Sequence, residues 1–276
     1  MRHPVDIWGM EYAEFAPAPS LRRLIRCYWQ LQSAAGIAAS AEPALPDGSP
    51  ELIINLAGPF EHIGADGLAT RQPLVFLVGQ ITRPMVVRPT GRVDVVAVRF
   101  EAHAAAVLHR DLSQLTDGWV DALSLREGAL RGLAHQLAAA PSVEQRIAIL
   151  DESLTRLVQS GPVPDTRVAA AVERIRRSQG SASPDDIAGD LGHSPRTLQR
   201  RFARQVGISP KLLARIVRFQ RVFATWRDDP GSLAKVAVEC GYFDHSHLVR
   251  DFRDFAGAPP AELLAALPEF TGFFTA

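Results

Sequence analysis

The sequence predicts an α+β protein: a β-rich N-terminal domain with a helical extension, followed by an all-α domain of two helix-turn-helix units joined by a long helix. Three observations carry this. Short runs of Val, Ile and Phe bounded by turn residues come between about residues 20 and 100, apolar spacing changes to three and four from about Ala102, and the last hundred residues contain an internal repeat.

The strand-like runs are ELIINLAG after LPDGSP, LVFLVGQ, MVVRPTGR and VDVVAVRF, strings of Val, Ile and Phe set among Pro, Gly and Asp. EAHAAAVLHRDL, SLREGALRGLAHQLAAA and SVEQRIAILDESLTRLVQS are Ala-rich and helical in period. The leucine series Leu130, Leu133, Leu137 and Ile147, Leu150, Leu154, Leu157 suits either the core of the first domain or a self-association face. SGPVPD at 160–165 has two prolines and a glycine and reads as a linker. The expected divisions are therefore 1–115 for the β-rich domain, 116–160 for the helical extension and candidate dimerisation surface, 161–165 for the linker and 166–276 for the helical domain. In the last, helices are expected at about 166–178, 185–191, 195–205, 210–227, 232–240, 245–256 and 260–267.

The 276-residue chain has 30 basic and 30 acidic side chains, but the balance is uneven along it. Residues 1–164 carry 14 basic and 17 acidic, residues 165–276 carry 16 and 13, and Arg196 to Arg227 includes nine basic residues and no acidic one. A basic segment of this kind suits a nucleic-acid partner. Only Cys27 and Cys240 are present, too few for a disulfide framework, and no stretch approaches a membrane span. A reducing cytoplasm and no membrane partner are expected.

IAGDLGHSPRTLQRRFARQVGISP (187–210) and VAVECGYFDHSHLVRDFRDFAGAPP (236–260) are two versions of one pattern. Ala188, Leu191, Gly192, Leu198, Arg200, Phe202, Gly207 and Pro210 stand where the second copy has Ala237, Cys240, Gly241, Leu248, Arg250, Phe252, Gly257 and Pro260. The offset is 49 before the turn and 50 after it, so the second turn holds one extra residue. Each copy reads as helix, glycine turn, helix. In the second helix of copy one, Leu198 and Phe202 share a face, while Arg196, Gln199, Arg200 and Ala203 cluster opposite. Arg pairs with guanine, Gln pairs with adenine and Ala permits close approach, so this face suits a major groove. Copy two presents Ser246, Val249, Arg250 and Arg253. Two such helices on one stem, with Leu212, Leu213, Ile216, Val217, Phe219 and Phe223 as its apolar stripe, suit successive groove segments about 34 Å apart.

Asp244 reads as the N-cap of the second recognition helix, with His245, Ser246 and His247 in its first turn. His245 and His247 diverge on a helix, which argues against a shared metal.

With these residues in view, the sequence resembles the AraC/XylS family of bacterial transcription regulators over about residues 166–267, through the double motif, the intervening RFQRVFATW and the closing AGAPPAEL. The resemblance implies that Arg196, Gln199 and Arg200 contact bases in one major groove and His245, Ser246 and Arg250 in the next. It implies phosphate contacts at Ser194, Thr197, Ser209 and Lys211, and we add His247 and Arg253 to that group. The family's pattern usually has Phe after the Ser-His dipeptide, where this chain has Leu248. PDGSPELIINLAG, VGQITRPMVV, VVAVRFEAHAAAVL and LTDGWVDALSL are similar to a β-rich N-terminal domain of a subset of these regulators. Double-stranded DNA is the implied partner, together with a small-molecule effector, a second copy of the chain and, for an activator, RNA polymerase.

Asp47, Glu51, Asn55, Arg83 and Arg99 are the candidate effector contacts, with His62, Arg88 and His103 behind them; Trp29 and Phe76 suit either a pocket wall or the core. No cofactor is expected and no metal. The competing reading is a cupin-like, metal-dependent β-barrel enzyme fused to the helix-turn-helix module, but His62, His103 and His109 have no ligand spacing. GxSxG, GxxxxGK[ST] and HExxH are missing, so no enzymatic activity is expected.

Overall fold

The computed structural model describes residues 5–7, 9–33, 40–228 and 231–265. Two antiparallel sheets form the N-terminal part. The larger runs in the order β1 (Val5–Ile7), β2 (Met10–Phe15), β3 (Ile25–Gln32), β10 (Asp94–Phe100), β5 (Glu51–Asn55), β8 (Val75–Val78), β11 (Trp119–Asp121). The smaller runs β4 (Glu42–Ala44), β9 (Met85–Pro89), β6 (Phe60–Ile63), β7 (Ala69–Arg71). Pro43 sits in the edge strand β4, where a missing N–H is tolerated.

Strand alternation explains the layers. Even-numbered residues of the central strands, Leu52 and Ile54 of β5 and Val96, Val98 and Phe100 of β10, turn to one core. That core is closed by α1 (Leu123–Ala139) and α2 (Val143–Ser160) through Leu130, Leu133, Leu137, Leu150, Leu154 and Leu157. The leucine series is therefore buried against the chain's own sheet. Odd-numbered residues, Val95 and Ala97 of β10 with Cys27, Trp29 and Leu31 of β3, turn to the other face. All of β10 is buried because both faces of its sheet are covered.

Two local expectations are corrected. EAHAAAVLHRDL does not form a regular helix; it makes short 3-10 turns at Ala104–Val107 and Leu112–Leu115. Its alanines are buried on every side, leaving no polar face for a surface helix, and Asp111 accepts the Ser113 N–H and so starts a second, separate turn. MEYAEF, for which no strand is expected, forms β2, with Met10, Tyr12 and Glu14 buried inward.

Helices α3 (Thr166–Arg177), α4 (Pro184–Asp190), α5 (Pro195–Val206), α6 (Pro210–Asp228), α7 (Leu233–Glu239), α8 (His245–Ala256) and α9 (Pro260–Ala265) lie where the periodicity predicts; residues 266–267 of the expected last helix lie outside the described residues. The caps repeat as the sequence does. Ser183 and Ser232 cap α4 and α7, and Ser194 and Asp244 cap α5 and α8. Gly192, Gly207, Gly241 and Gly257 all adopt the positive φ that side chains resist. The His193 and Tyr242 N–H groups donate equivalently to Ala188 O and Ala237 O, so the extra residue of the second turn is Phe243. It is 91% exposed.

Phe219 and Phe223 of α6 meet Phe252 of α8 edge-on or tilted, with ring centroids 4.9 and 5.6 Å apart, and share one core with Leu198 and Phe202 of α5. Leu45 and Ala102 of the N-terminal part belong to this core as well.

Candidate nucleic-acid interface and the cavity between the sheets

Burying Leu198, Phe202 and Val206 on one side of α5 turns Arg196, Gln199 and Arg200 outward, and all three are exposed. Pro195 at the first helical position and the Ser194 hydroxyl, which accepts the Thr197 N–H at 3.2 Å, fix where the helix begins. In α8, burial of Leu248, Phe252 and Phe255 leaves His245, Ser246, Arg250 and Arg253 exposed. Arg196, Arg200, Arg250 and Arg253 make no ion pair among the described residues, in contrast to Arg201 and Arg215 on the inner sides.

The expected phosphate contacts divide. Lys211 and Arg253 are exposed, whereas Ser209 accepts the Leu212 N–H as the cap of α6 and Thr197 accepts a hydrogen bond from Ser194. His247 is half-buried with its ring edge-on to Tyr242, at 5.2 Å between centroids. Its ring belongs to the packing of the turn.

Helices α5 and α8 are each held from behind by a polar clamp. Arg201 reaches Asp165, the cap of α3, at 2.8 Å, and the Gln205 side-chain oxygen accepts the Asp165 N–H. Burial works to raise the Asp165 pKa, but the Arg167 N–H and the Arg201 guanidinium outweigh it and hold the carboxyl below its usual value. In the second unit Arg215 reaches Asp251 at 2.7 Å and lies over the Phe255 ring.

A cavity of about 130 Å³ opens between the sheets. Its walls are Trp29, Leu31, Leu45, Ile53, Phe60, Phe76, Met85, Val87 and Val95, and its polar end is Asp47, Ser49, Glu51, Asn55, Gln72 and Arg99. Thus four expected contacts, Asp47, Glu51, Asn55 and Arg99, gather at one place, with Trp29 and Phe76 in the wall. Arg83 does not join them: Gly79 and Ile81 just before it line the cavity, but its own side chain is 72% exposed and faces Asp117. His62 packs on Trp119, Arg88 pairs with Glu61, and His103 is buried away from the cavity, where burial and Arg176 lower its pKa to about 4.

Arg99 organises the polar end. It lies 2.7 Å from Glu51, 3.3 Å from Asp47 and 3.1 Å from Glu14. Burial opposes its charge, yet the Glu51 carboxylate and its neighbours keep its pKa well above the usual value. Glu14 was not foreseen; the available signal was a carboxylate in step with Met10 and Tyr12 in MEYAEF.

The segment from Leu45 to Pro50 faces both ways. Asp47 and Ser49 line the cavity, while the Pro46 carbonyl accepts from Gln220 of α6 at 2.5 Å. Gly48, at φ +76°, is so close to α6 that a Cβ there would stand 2.9 Å from Leu213 Cδ1. Beside it Glu101 pairs with Arg176 of α3 at 3.2 Å, and the Thr116 hydroxyl donates to the Gly207 carbonyl just after α5.

Residues 187–266 match the family model described as a helix-turn-helix domain. The C-terminal region is an AraC-type DNA-binding domain, and the chain is a DNA-binding transcription regulator. Ahead of the AraC-type domain, residues 13–121 match a domain of unknown function, DUF6597. No curated protein matches the chain. Among solved structures, ToxT from Vibrio cholerae O395 is 9% identical with a TM-score of 0.46, covering 94% of this chain and 98% of its own. An AraC-type regulator from Chromobacterium violaceum is 24% identical with a TM-score of 0.34, covering 37% and 91%. The AraC-like activator CuxR is 14% identical with a TM-score of 0.32, covering 82% and 86%. Among the described residues, no three His, Cys, Asp or Glu side chains gather as metal ligands, and no helix is long and apolar enough to cross a membrane.

Proposed function

We propose that the AraC-type domain reads two successive major-groove segments through α5 and α8, and that an effector in the N-terminal cavity modulates this. The observation that carries the first part is the pairing of two unpaired basic faces, Arg196–Gln199–Arg200 and Ser246–Arg250–Arg253, on helices whose opposite sides enter one core. A shared core fixes the two readers relative to each other, which a two-segment site requires. The second part rests on the Leu45–Pro50 segment, which is at once a wall of the cavity and a contact of α6.

In this reading Arg196, Gln199, Arg200, His245, Ser246 and Arg250 meet base edges, and Lys211 and Arg253 meet phosphates, with the caps of α5 and α8 pointing backbone N–H groups at the strand. The test is selection of bound fragments from genomic DNA, with and without a small-molecule cell extract, followed by footprinting. Two protected segments about one helical turn apart, with affinity altered by the extract, are expected. A single protected segment would leave α8 without a reading role, and an unaltered footprint would remove the effector.

A further inference from the structure

We propose that the cavity between the sheets takes a small amphipathic amine, an apolar body ending in an ammonium group set against Glu51 and Asn55. This rests on the effector reading above and names its ligand class.

Size comes first. A cavity of 130 Å³ holds about ten water-sized positions, which suits a ligand of roughly ten non-hydrogen atoms. Shape and polarity follow. Trp29, Phe60, Phe76, Met85 and Val95 make most of the wall apolar and partly aromatic, a surface that favours a hydrocarbon body and a cation near its rings.

The polar end then selects the head group. Its lining side chains include two carboxylates, Asp47 and Glu51, and one guanidinium, Arg99. Arg99 spends Nε on Glu51 and Asp47 and Nη1 on Glu14, so its charge is shared among three carboxylates. The donors to Glu51, Trp29 Nε1 at 2.9 Å and Arg99 Nε at 2.7 Å, both fall on Oε1, which leaves Oε2 without a donor among the described residues. Asn55, itself 5% exposed, spends its Nδ2 on the Pro73 carbonyl, and its Oδ1 is buried with no partner. Asn55 Oδ1 and Glu51 Oε2 each call for a donor, and a buried acceptor without one is costly. An ammonium supplies up to three donors and the missing positive charge. A carboxylate would add a third anion beside Asp47 and Glu51 and leave Asn55 Oδ1 unsatisfied. Arg26, which donates to Ser49, and Arg176 stand behind the Leu45–Pro50 segment, and neither lines the cavity. Burial pushes the Glu51 carboxyl upward from its usual range, a strain that a cation in the cavity would relieve.

The test uses the full chain and three probes of matched size: 2-phenylethylamine, 2-phenylethanol and phenylacetate, measured by titration calorimetry and by their effect on affinity for selected DNA. The amine is expected to bind about tenfold more tightly than the alcohol, as one charge-assisted hydrogen bond in place of a neutral one implies, and phenylacetate not to bind. Glu51→Gln should remove that preference. Because Glu51 also holds Arg99, Ile53→Phe serves as a second variant, narrowing the apolar wall and weakening the amine while leaving the charges alone. Equal or tighter binding of phenylacetate overturns the proposal and leaves effector response standing. If no probe binds but a cell extract still alters DNA affinity, the amine is again wrong and the effector survives; if neither acts, both readings fall.

Discussion

Arg215 Nη2 lies 2.7 Å from Asp251 Oδ1, and this pair is the charge-reversed counterpart of Asp165 and Arg201 in the first unit. Arg201 and Asp251 stand 50 residues apart, as the repeat requires after its turn, and their partners Asp165 and Arg215 come from α3 and α6, the helices that support each unit. The two clamps differ in burial. Asp251 is wholly buried, whereas Arg201 is about half exposed.

The clamps should therefore differ in strength. Asp251→Ala strips a buried partner from Arg215 and is expected to cost about 3 kcal/mol, whereas Arg201→Ala should cost under about 1 kcal/mol. Chemical denaturation of both variants checks this, and equal losses would contradict the assignment.

On the DNA face, Arg200→Ala should cost about 1–3 kcal/mol against the selected site and relax preference at one base pair. Lys211→Ala should weaken all sequences alike and lower the salt slope by about 1. Binding titrations on selected and scrambled DNA at several salt concentrations separate the two roles.

Gly48→Ala places a side chain at a positive φ and against Leu213 Cδ1. A loss of about 1–2 kcal/mol in stability is expected. Gly67, also at positive φ but with open space around it, is the control: Gly67→Ala should lose only the backbone part of that cost, about 1 kcal/mol.

His103 is buried and neutral, with its pKa lowered to about 4 from the ordinary 6.5 by burial and by Arg176. Between those values the unfolded chain binds more protons, so stability contributed by this residue is full above pH 6.5 and is lost as pH falls toward 4. The loss should approach about 3 kcal/mol at its largest. His103→Gln should flatten this part of the stability profile measured between pH 7 and pH 4.5.

The helical half was legible because its signals are local. A glycine at positive φ after α4, α5, α7 and α8, a Ser or Asp before each of these and an apolar stripe at Leu198–Phe202 or Leu248–Phe252 need no distant partner to be read. The β-rich half was legible in its strands but not in its layers. Glu14 meets Arg99 across 85 positions of sequence, and nothing in MEYAEF names that partner. The alanines at 104–106 satisfied a helical pattern, but their environment, buried against the rest of the fold, came from tertiary packing. Asp47, Glu51, Asn55 and Arg99 were identifiable as polar residues in or beside strands, yet only the folded path of the bend before β9 separates them from Arg83.

The Leu45–Pro50 segment is one wall with two tenants. It cannot yield on the cavity side without moving against Gln220 and Leu213 of α6. Linkage then runs in both directions: by whatever factor a cavity ligand changes affinity for DNA, DNA must change affinity for that ligand by the same factor. On the function proposed above, the operator acts in turn on the N-terminal cavity, and a compound that changes DNA affinity will bind the DNA-bound protein and the free chain with different affinity.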